Sequence, residues 1–341
     1  MTRTKKSPSK NKSIDDVARL AGVSITTVSR VINKVGAVKE KNRAKVMDAV
    51  KELKFEPSIF AQRLATGKSN VVALLIPRYE GVFYSFYALE LIRATGTLCE
   101  AFKLDLLLHL TDSRPKSGLN LRGVGGVIFS DIIGTRYQVE EALKMGLPCV
   151  VINNYVDDLP VSCVAIDNLG GAKSAVNYLV SLGHKRIAHI SGDVTTQAAE
   201  KRLEGYLEAL KENRIALNEG YILKTDYSRG QARQASEKLF RMPEPPTAVF
   251  VASDSMALEV MAVARELGKN IPADLSIVGF DDNPSGLYGP VALTTIRQPL
   301  LKMAEEGVKE LNRLMNAKKG TAVKKITLPT ELVVRESCRT L

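Results

Sequence analysis

The 341-residue chain contains no tryptophan, only three histidines and only four cysteines, which are widely separated. No CxxC pair and no His or Cys spacing typical of metal ligands occurs, so we expect no disulfide framework, metal or cofactor. No apolar run approaches the roughly 18–20 residues of a membrane span, and no apolar segment follows the basic N-terminal residues. These absences predict a cytoplasmic protein. Common catalytic signatures are missing too, so nothing indicates an enzyme.

Positive charge is concentrated at one end of the chain. The net charge is +11, and residues 1–70 hold 16 Lys and Arg against six Asp and Glu. Residues 71–341 are almost neutral, with 32 basic and 31 acidic residues. A basic arm on a neutral body is typical of a nucleic-acid-binding protein, although a solubilising tail has the same composition. Residues 1–12 fit such a disordered basic tail.

Residues 13–56 carry the pattern of three short helices. Ser13 and Asp16 are spaced as a capping box, and Val17 and Leu20 fall on one face of the first helix. Gly22 suits the left-handed position that ends a helix, and Ser24 can cap the next one. A third amphipathic helix follows at about 39–54. Two short helices around a glycine turn, plus a third, predict a helix-turn-helix domain.

The second of these helices would direct polar side chains outward. Its outer face can enter a DNA major groove, where arginine donates to guanine and threonine or isoleucine contacts the thymine methyl group. The predicted base-contacting residues are Ile25, Thr26, Ser29 and Arg30. Residues better placed for phosphate oxygens are Ser24, Thr27 and Asn33. A helical hairpin with merely solvated polar residues is the alternative.

From residue 71 the pattern alternates between strand and helix. Short apolar runs bounded by turn residues predict strands at 71–77, 104–110, 125–131, 148–154, 163–168, 186–191, 221–227, 248–253 and 276–282. Amphipathic segments predict helices at 169–182, 197–213, 229–241 and 254–267. Continuous apolar strands between helices favour parallel sheets covered on both faces. Two α/β lobes with a ligand cleft outside the strand ends are therefore expected.

The segment DDVARLAGVSITTVSRVIN (15–33) resembles the LacI/GalR family of bacterial transcription regulators. The resemblance continues through RLEGYLEAL (202–210), DLSIVGFDD (274–282), ALTTIRQP (292–299) and PTELVVRES (329–337). It implies an N-terminal all-α helix-turn-helix domain followed by an α/β two-lobe effector domain like the type I periplasmic sugar-binding proteins. Ile25 and Thr26 match the family positions that set operator preference.

The stretch PSIFAQRLATG (57–67) is too short for a helix that is stable alone in water, but it could fold on binding DNA. It resembles the family's hinge helix, which enters the minor groove and wedges a leucine between base pairs. By that resemblance Ala61 and Leu64 would contact the minor groove. A plain interdomain linker is the alternative.

The resemblance also implies an effector-binding site between the lobes. Aromatic rings would cover a sugar or purine, and charged groups would bind hydroxyls or ring nitrogens. The implied residues are Phe83, Tyr84, Asn153, Arg202, Tyr227, Ser253 and Asp281. Asn153 stands where the family usually has an acid, and 111–126 is shorter than the family's helix-bearing segment. Tyr227 could instead be a core residue, and Arg202 could pair with a glutamate of its own helix.

The predicted domain boundaries follow from this organisation. Residues 1–12 form the tail, 13–56 the helix-turn-helix domain and 57–70 the hinge. The N-terminal effector lobe would comprise 71–160 and 291–322, and the C-terminal lobe 161–290 and 323–341.

The expected function is sequence-specific repression of transcription, switched by a small molecule. The expected partners are a palindromic operator in double-stranded DNA, a second copy of the chain, and a sugar, sugar derivative or purine, with no membrane. A sugar-binding transport protein and an α/β enzyme with a regulatory DNA-binding arm are the alternatives. The basic arm and the absent signal sequence disfavour the first, and no catalytic constellation supports the second.

Overall fold

The computed structural model describes residues 12–33, 35–55, 69–78, 82–112, 118–318 and 320–341. The chain forms two compact units, Met1–Asn70 and Val71–Leu341. No helix within the described ranges is long and apolar enough to cross a bilayer.

The first unit contains the three predicted helices, α1 (Ile14–Ala21), α2 (Ile25–Ile32) and α3 (Glu40–Leu53). The capping box at the start of α1 is present, because the Ser13 side chain accepts from the Asp16 backbone and the Asp16 side chain accepts from the Ser13 backbone. Gly22 ends α1 with a φ of 62°, as expected for a left-handed cap.

A small apolar core holds these helices together. Val17, Val28 and Val46, one from each helix, are completely buried and pack with smaller neighbours. Leu20 differs from the sequence expectation, since 46% of it is exposed instead of packing beside Val17. Its position three residues after Val17 is compatible with the same face, but this very short helix offers its partners only a narrow stripe.

The second unit contains twelve strands among its described residues. They are β1 (Val71–Pro77), β2 (Asp105–Thr111), β3 (Gly126–Phe129), β4 (Cys149–Ile152), β5 (Ser162–Ile166), β6 (Ile187–Ser191), β7 (Ile222–Lys224), β8 (Ala248–Val251), β9 (Ser276–Asp281), β10 (Thr294–Arg297), β11 (Lys325–Leu328) and β12 (Glu331–Val333). Every strand predicted from the apolar runs overlaps an observed strand.

The helices of this unit lie between the strands. They are α4 (Phe86–Ala101), α5 (Arg136–Lys144), α6 (Asn168–Ser181), α7 (Gln197–Glu212), α8 (Arg229–Phe240), α9 (Asp254–Glu266) and α10 (Leu300–Asn316). Short 3-10 turns occur at Val82–Tyr84, Glu219–Tyr221 and Pro284–Leu287. The described residues 118–125, in the segment predicted to be short, contain no helix.

The strands form two six-stranded sheets, one in each lobe. The first lobe has the order β11-β5-β4-β3-β1-β2 and is entirely parallel. The second lobe has the order β12-β10-β9-β8-β6-β7 and is parallel except for β12, which runs antiparallel to β10. The predicted fold class, a helix-turn-helix domain followed by two α/β lobes, is confirmed.

The strand pairing corrects the predicted lobe boundaries. β5 pairs with β4 and β11 in the first lobe, whereas 161–166 and 325–328 were expected in the C-terminal lobe. β10 pairs with β9 in the second lobe, whereas 294–297 was expected in the N-terminal lobe. An apolar run predicts a strand but does not indicate which sheet the strand joins. In the structure the chain crosses between the lobes after β5, β10 and β11.

The second lobe contains two tightly packed places. Helices α6 and α7 pack so closely that a Cβ at Gly205 would lie 2.4 Å from the Leu169 carbonyl oxygen. His189 is completely buried on β6, stacked between the rings of Tyr206 and Phe250 at centroid distances of 5.2 and 4.7 Å.

Candidate functional site

Helix α2 presents an exposed polar surface in the first unit. Ser24 caps the helix, and its Oγ accepts from the Thr27 backbone N–H at 3.2 Å. Ile25 is 48% exposed, and Thr26 and Arg30 are also exposed while Val28 and Val31 face the core. Arg30 makes no ion pair with a described residue, so its guanidinium is available to an outside partner.

The other polar side chains of α2 are partly used within the helix. Ser24 Oγ and Thr27 Oγ1 lie 2.9 Å apart, and Asn33 donates to Ser29 Oγ at 3.1 Å. Ser29 is also half-buried, so it is less available for a base than Ile25, Thr26 or Arg30. The predicted minor-groove residues Ala61 and Leu64 lie outside the described residues.

Arg202 forms the floor of the second lobe's half of the cleft. Its guanidinium is buried, with Nε donating to Asn168 Oδ1 at 2.9 Å and Nη1 to the Ala252 carbonyl at 2.6 Å. It lies 3.6 Å above the Phe280 ring, a close cation–π arrangement. These contacts replace the alternative in which Arg202 pairs with Glu200 or Glu204 of its own helix.

Asp281 ends strand β9 beside this arginine. Gln298 donates to its carboxylate at 2.5 Å, and the φ of Asp281 is 130°, a conformation that an L-residue seldom adopts. Burial raises the pKa of Asp281, and Arg202 opposes that rise. Behind it, buried Asp254 accepts from Thr295 and from the Asn283 backbone, and burial raises its pKa as well.

Tyr227 covers the same end of the second lobe. Its backbone has a φ of 68°, and its ring lies flat on Gly192, where a Cβ would come within 2.0 Å of Tyr227 Cζ. Burial raises the pKa of the phenol, Arg202 lowers it, and both Asp281 and Asp131 raise it further. Tyr227 is half-buried and packs against the core of the second lobe, with acidic residues of both lobes influencing its phenol, and its assignment to the effector site remains a prediction.

Ser253 has a structural role that the sequence did not reveal. It is the N-cap of α9, and its Oγ accepts from the Met256 backbone N–H at 3.4 Å. The hydroxyl can still donate outward. Its assignment to the effector site remains a prediction.

The first lobe contributes an acid that sequence reasoning missed. Asp131, just after β3, accepts from Asn153 at 2.9 Å and from the Ile133 backbone N–H at 2.8 Å. Burial raises its pKa, and the hydrogen bonds from Ile133 and Asn153 oppose that rise. Asn153 was expected to stand in place of the family's acid; in the structure it donates to another acid, Asp131, which follows the neighbouring strand β3. The signal was available, because Asp131 follows an apolar parallel strand at the edge where ligands bind.

The paired aromatic residues Phe83 and Tyr84 are not brought into this cluster by any described contact. They lie in the turn Val82–Tyr84 and are 51% and 92% exposed. Their predicted stacking role is therefore not supported by burial here, and they remain candidates at the surface.

One side chain joins the two lobes directly. Gln197, the first residue of α7 in the second lobe, accepts from the Tyr155 backbone N–H at 2.7 Å and donates to the Tyr155 carbonyl at 3.0 Å. Tyr155 belongs to the first lobe, just after β4. The reciprocal pair, here named the interlobe amide clasp, ties the lobes across the cleft.

A cavity of about 420 Å³ opens beside Asp281 at the β10–α10 crossing, where it is bordered by Gln298, Pro299 and Phe86. In the part of the chain that is described, no group of three or more His, Cys, Asp or Glu could hold a metal ion. Asp281, Arg202 and Tyr227 place hydrogen-bonding and stacking groups at this end of the second lobe.

Two family models match the chain. The model for bacterial regulatory proteins of the lacI family matches residues 13–58, and a periplasmic binding protein-like domain matches 176–338. The regulator DegA of Bacillus subtilis is 35% identical over 95% of this chain and 97% of its own. Catabolite control protein A of Priestia megaterium is 33% identical over 96% of this chain and 100% of its own.

Solved structures agree with these relatives. A lac repressor dimer bound to operator and the anti-inducer ONPF is 28% identical, covering 97% of this chain and 100% of that one, with a TM-score of 0.81. A complex of the regulator CelR with cellobiose is 29% identical, covering 96% and 99%, with a TM-score of 0.69. These relatives are transcription regulators and not enzymes. The chain belongs to the LacI family of bacterial regulatory proteins and is a DNA-binding transcription regulator with a periplasmic-binding-protein-like effector domain.

Proposed function

We propose that this protein is a cytoplasmic, homodimeric repressor whose α2 helices read a palindromic operator and whose interlobe cleft binds the controlling small molecule. The observation that carries the proposal is the exposed stripe Ile25, Thr26 and Arg30 on a capped helix, in which Arg30 has no ion pair with any residue that the structure describes. One such helix reads a half-site, so two copies match a palindrome. The lac repressor relative is described as a dimer on its operator.

The effector half of the proposal is supported by the convergence of Arg202, Tyr227 and Asp281 with Asp131 of the other lobe. A ligand that contacts both lobes stabilises the closed cleft, because it binds that arrangement better than the open one. Typical couplings between two sites are about 1–3 kcal/mol. The relatives named above include one described with cellobiose and one with an anti-inducer, which agrees with a small polar effector.

Replacing Arg30 by alanine is expected to weaken operator binding by about 1–3 kcal/mol and to relax specificity at one base pair, because a bidentate contact to guanine is lost. Fluorescence anisotropy against operators that vary at each position measures both effects. Arg43→Ala is the matched control, since it removes the same charge from α3, where Arg43 pairs with Glu40. An unchanged operator preference in the Arg30 variant would remove Arg30 from the interface.

Replacing Gln197 by alanine is expected to loosen the closed cleft, because both hydrogen bonds of the interlobe amide clasp disappear. Each is worth about 0.5–1.5 kcal/mol, so the loss of both should lower apparent effector affinity roughly 5- to 150-fold. Small-angle scattering should show a larger radius of gyration, and calorimetry gives the affinity. Gln231→Ala is the control, because it deletes a hydrogen bond that the Gln231 side-chain amide donates to the Asp226 carboxylate within one lobe. Equal behaviour of the two variants would show that the clasp does not govern closure.

A further inference from the structure

The interlobe amide clasp uses backbone groups of the first lobe and no side chain of that lobe. Gln197 bonds the N–H and the carbonyl of Tyr155, which is itself 45% exposed. Backbone groups meet a partner only where the loop that carries them has a fixed course. The segment 153–161 between β4 and β5, here named the clasp loop, therefore determines whether the clasp can form.

One lysine holds the clasp loop. The ammonium of Lys325, the first residue of β11, donates to three carbonyls of the loop, those of Val156, Leu159 and Val161. The distances are 3.1 Å to Leu159 and 2.8 Å to Val161. An ammonium group has three N–H donors, so these bonds use all of them. Without the ammonium, three carbonyls would face one another without donors in a partly buried place, which is unfavourable.

The side chains of the clasp loop make it a firm part of the first lobe. Val156 and Val161 are 2% and 1% exposed and pack in the core of that lobe, with Leu159 beside them. Val156 directly follows Tyr155, so a carbonyl held by the ammonium lies one residue from the backbone groups of the clasp. A shift of the Val156 peptide would therefore move the clasp as well.

The lysine also lies near a crossing between the lobes. Strand β11 ends at Leu328, and the chain then enters the second lobe at β12. The anchor of the clasp loop and this crossing therefore belong to the same short strand. A rotation of the lobes about the crossing acts close to the point from which the loop is held.

Resting on the proposed function, we infer that Lys325 is a positioning residue for effector binding, because its ammonium holds the clasp loop where the Tyr155 backbone meets Gln197. Lys325 acts through the clasp and not by contact with the effector. Without its N–H groups the loop relaxes and fewer molecules form the clasp, so apparent effector affinity falls with that fraction. The loss cannot exceed the loss caused by removing Gln197.

Hydrogen exchange on the full-length protein tests the first step without any ligand. Lys325→Met keeps the apolar stem and deletes the three donors, so the Tyr155 amide should exchange faster by about tenfold or more. Amides of β3, in the same lobe, should keep the wild-type rate. Lys324→Met is the matched control, because it removes the same charge from the adjacent residue, whose 57% exposed side chain pairs with Glu310.

Two results of this comparison would overturn the inference. Equal acceleration at Tyr155 and in β3 would show that Lys325 only stabilises the first lobe. An unchanged Tyr155 amide would show that the clasp loop does not need the ammonium. If Lys325→Met does not fold, Lys325→Gln replaces it under the same criteria, because it keeps two N–H donors but places them one atom short of the carbonyls.

Chemical rescue tests the three-carbonyl site itself. Lys325→Ala removes the side chain beyond Cβ, and propylammonium supplies the missing carbons and ammonium group. Propylammonium should slow the Tyr155 exchange again, whereas tetramethylammonium, a cation without N–H groups, should not. Equal rescue by both cations at the same ionic strength would indicate a general charge effect and contradict the inference.

Calorimetry connects the clasp loop to binding. The probes are cellobiose, glucose, ribose and adenine, and the comparison uses those that bind the wild type. Lys325→Met should bind them more weakly by about threefold or more, and it should have no further effect in a Gln197→Ala background. Additive losses from the two substitutions would show that Lys325 acts by a route other than the clasp.

An operator-binding assay separates this inference from the proposed function. A probe that binds the wild-type cleft without altering operator affinity contradicts the proposed function, while the exchange rate of Tyr155 still decides the role of Lys325. A probe that alters operator affinity equally in wild type and Lys325→Met, with Tyr155 exchange unchanged, supports the proposed function and overturns the inference.

Discussion

Replacing Gly192 by alanine is expected to abolish the response to effector while operator binding in its absence stays intact. The added methyl group would lie 2.0 Å from Tyr227 Cζ, a distance that real Cβ atoms essentially never show, so the ring must move from its place against Gly192. Loss of an aromatic stacking surface and of the shape around it should weaken effector binding at least tenfold. Calorimetry with a compound that binds the wild type, together with an operator-release assay, measures the effect.

Gly230→Ala is the matched control, because nothing lies within 4 Å of a Cβ at that position of α8. It should bind effector like the wild type. A double-mutant cycle then locates the cause: in a Tyr227→Ala background, Gly192→Ala should have no further effect. Additive losses from the two substitutions would show that the methyl group acts somewhere other than through the Tyr227 ring.

The contribution of His189 to the stability of the second unit is expected to fall as the pH drops below about 6.5. Its Nδ1–H donates to the Phe250 carbonyl at 3.0 Å, so Nε2 is unprotonated, and it has no partner among the described residues. Complete burial between two aromatic rings lowers the pKa of His189 to about 4. The unfolded chain, with an ordinary histidine pKa of about 6.5, therefore binds the proton first as the pH falls.

The difference between the folded and unfolded pKa values of His189 sets the direction and size of the change in stability. The stability that depends on a neutral His189 is fully present above about pH 6.5 and is lost progressively toward pH 4, by about 2 kcal/mol between pH 7 and pH 5. The raised pKa values of Asp254 and Asp281 act oppositely, destabilising the fold as the pH rises. Wild type and His189→Gln should therefore be compared at each pH.

Urea unfolding at a series of pH values gives the required comparison. Whatever His189→Gln costs at pH 7, its stability relative to the wild type should improve by about 2 kcal/mol at pH 5, because glutamine does not titrate there. Two parallel pH profiles would show that His189 does not carry the acid sensitivity.

Local patterns predicted most of the secondary structure. The capping box of Ser13, the left-handed Gly22 and the cap Ser24 depend on neighbours a few residues away, and each was found in place. The assignment of β5, β10 and β11 to lobes was wrong because pairing partners are distant in the chain. The apolar pattern of a strand does not indicate which other strand will be its neighbour in the sheet.

A site residue could be predicted from the sequence only where its place in a strand or helix determines which residues surround it. Asp281 and Arg202 are placed by a strand end and a buried helix face, so motif position located them near each other. Asp131 was missed although it follows an apolar strand, because its contact with Asn153, which follows the neighbouring strand β4, is not visible in the sequence. The helix-capping role of Ser253 and the exposure of Tyr84 likewise depend on tertiary geometry.

Residues next to two of the three chain crossings between the sheets form hydrogen bonds with residues proposed to bind the effector. Gln298, on the passage after β10, holds Asp281, and Asn168, just beyond the passage after β5, holds Arg202. A molecule that contacted Asp281 and Arg202 would therefore act directly beside two of the three crossings between the lobes.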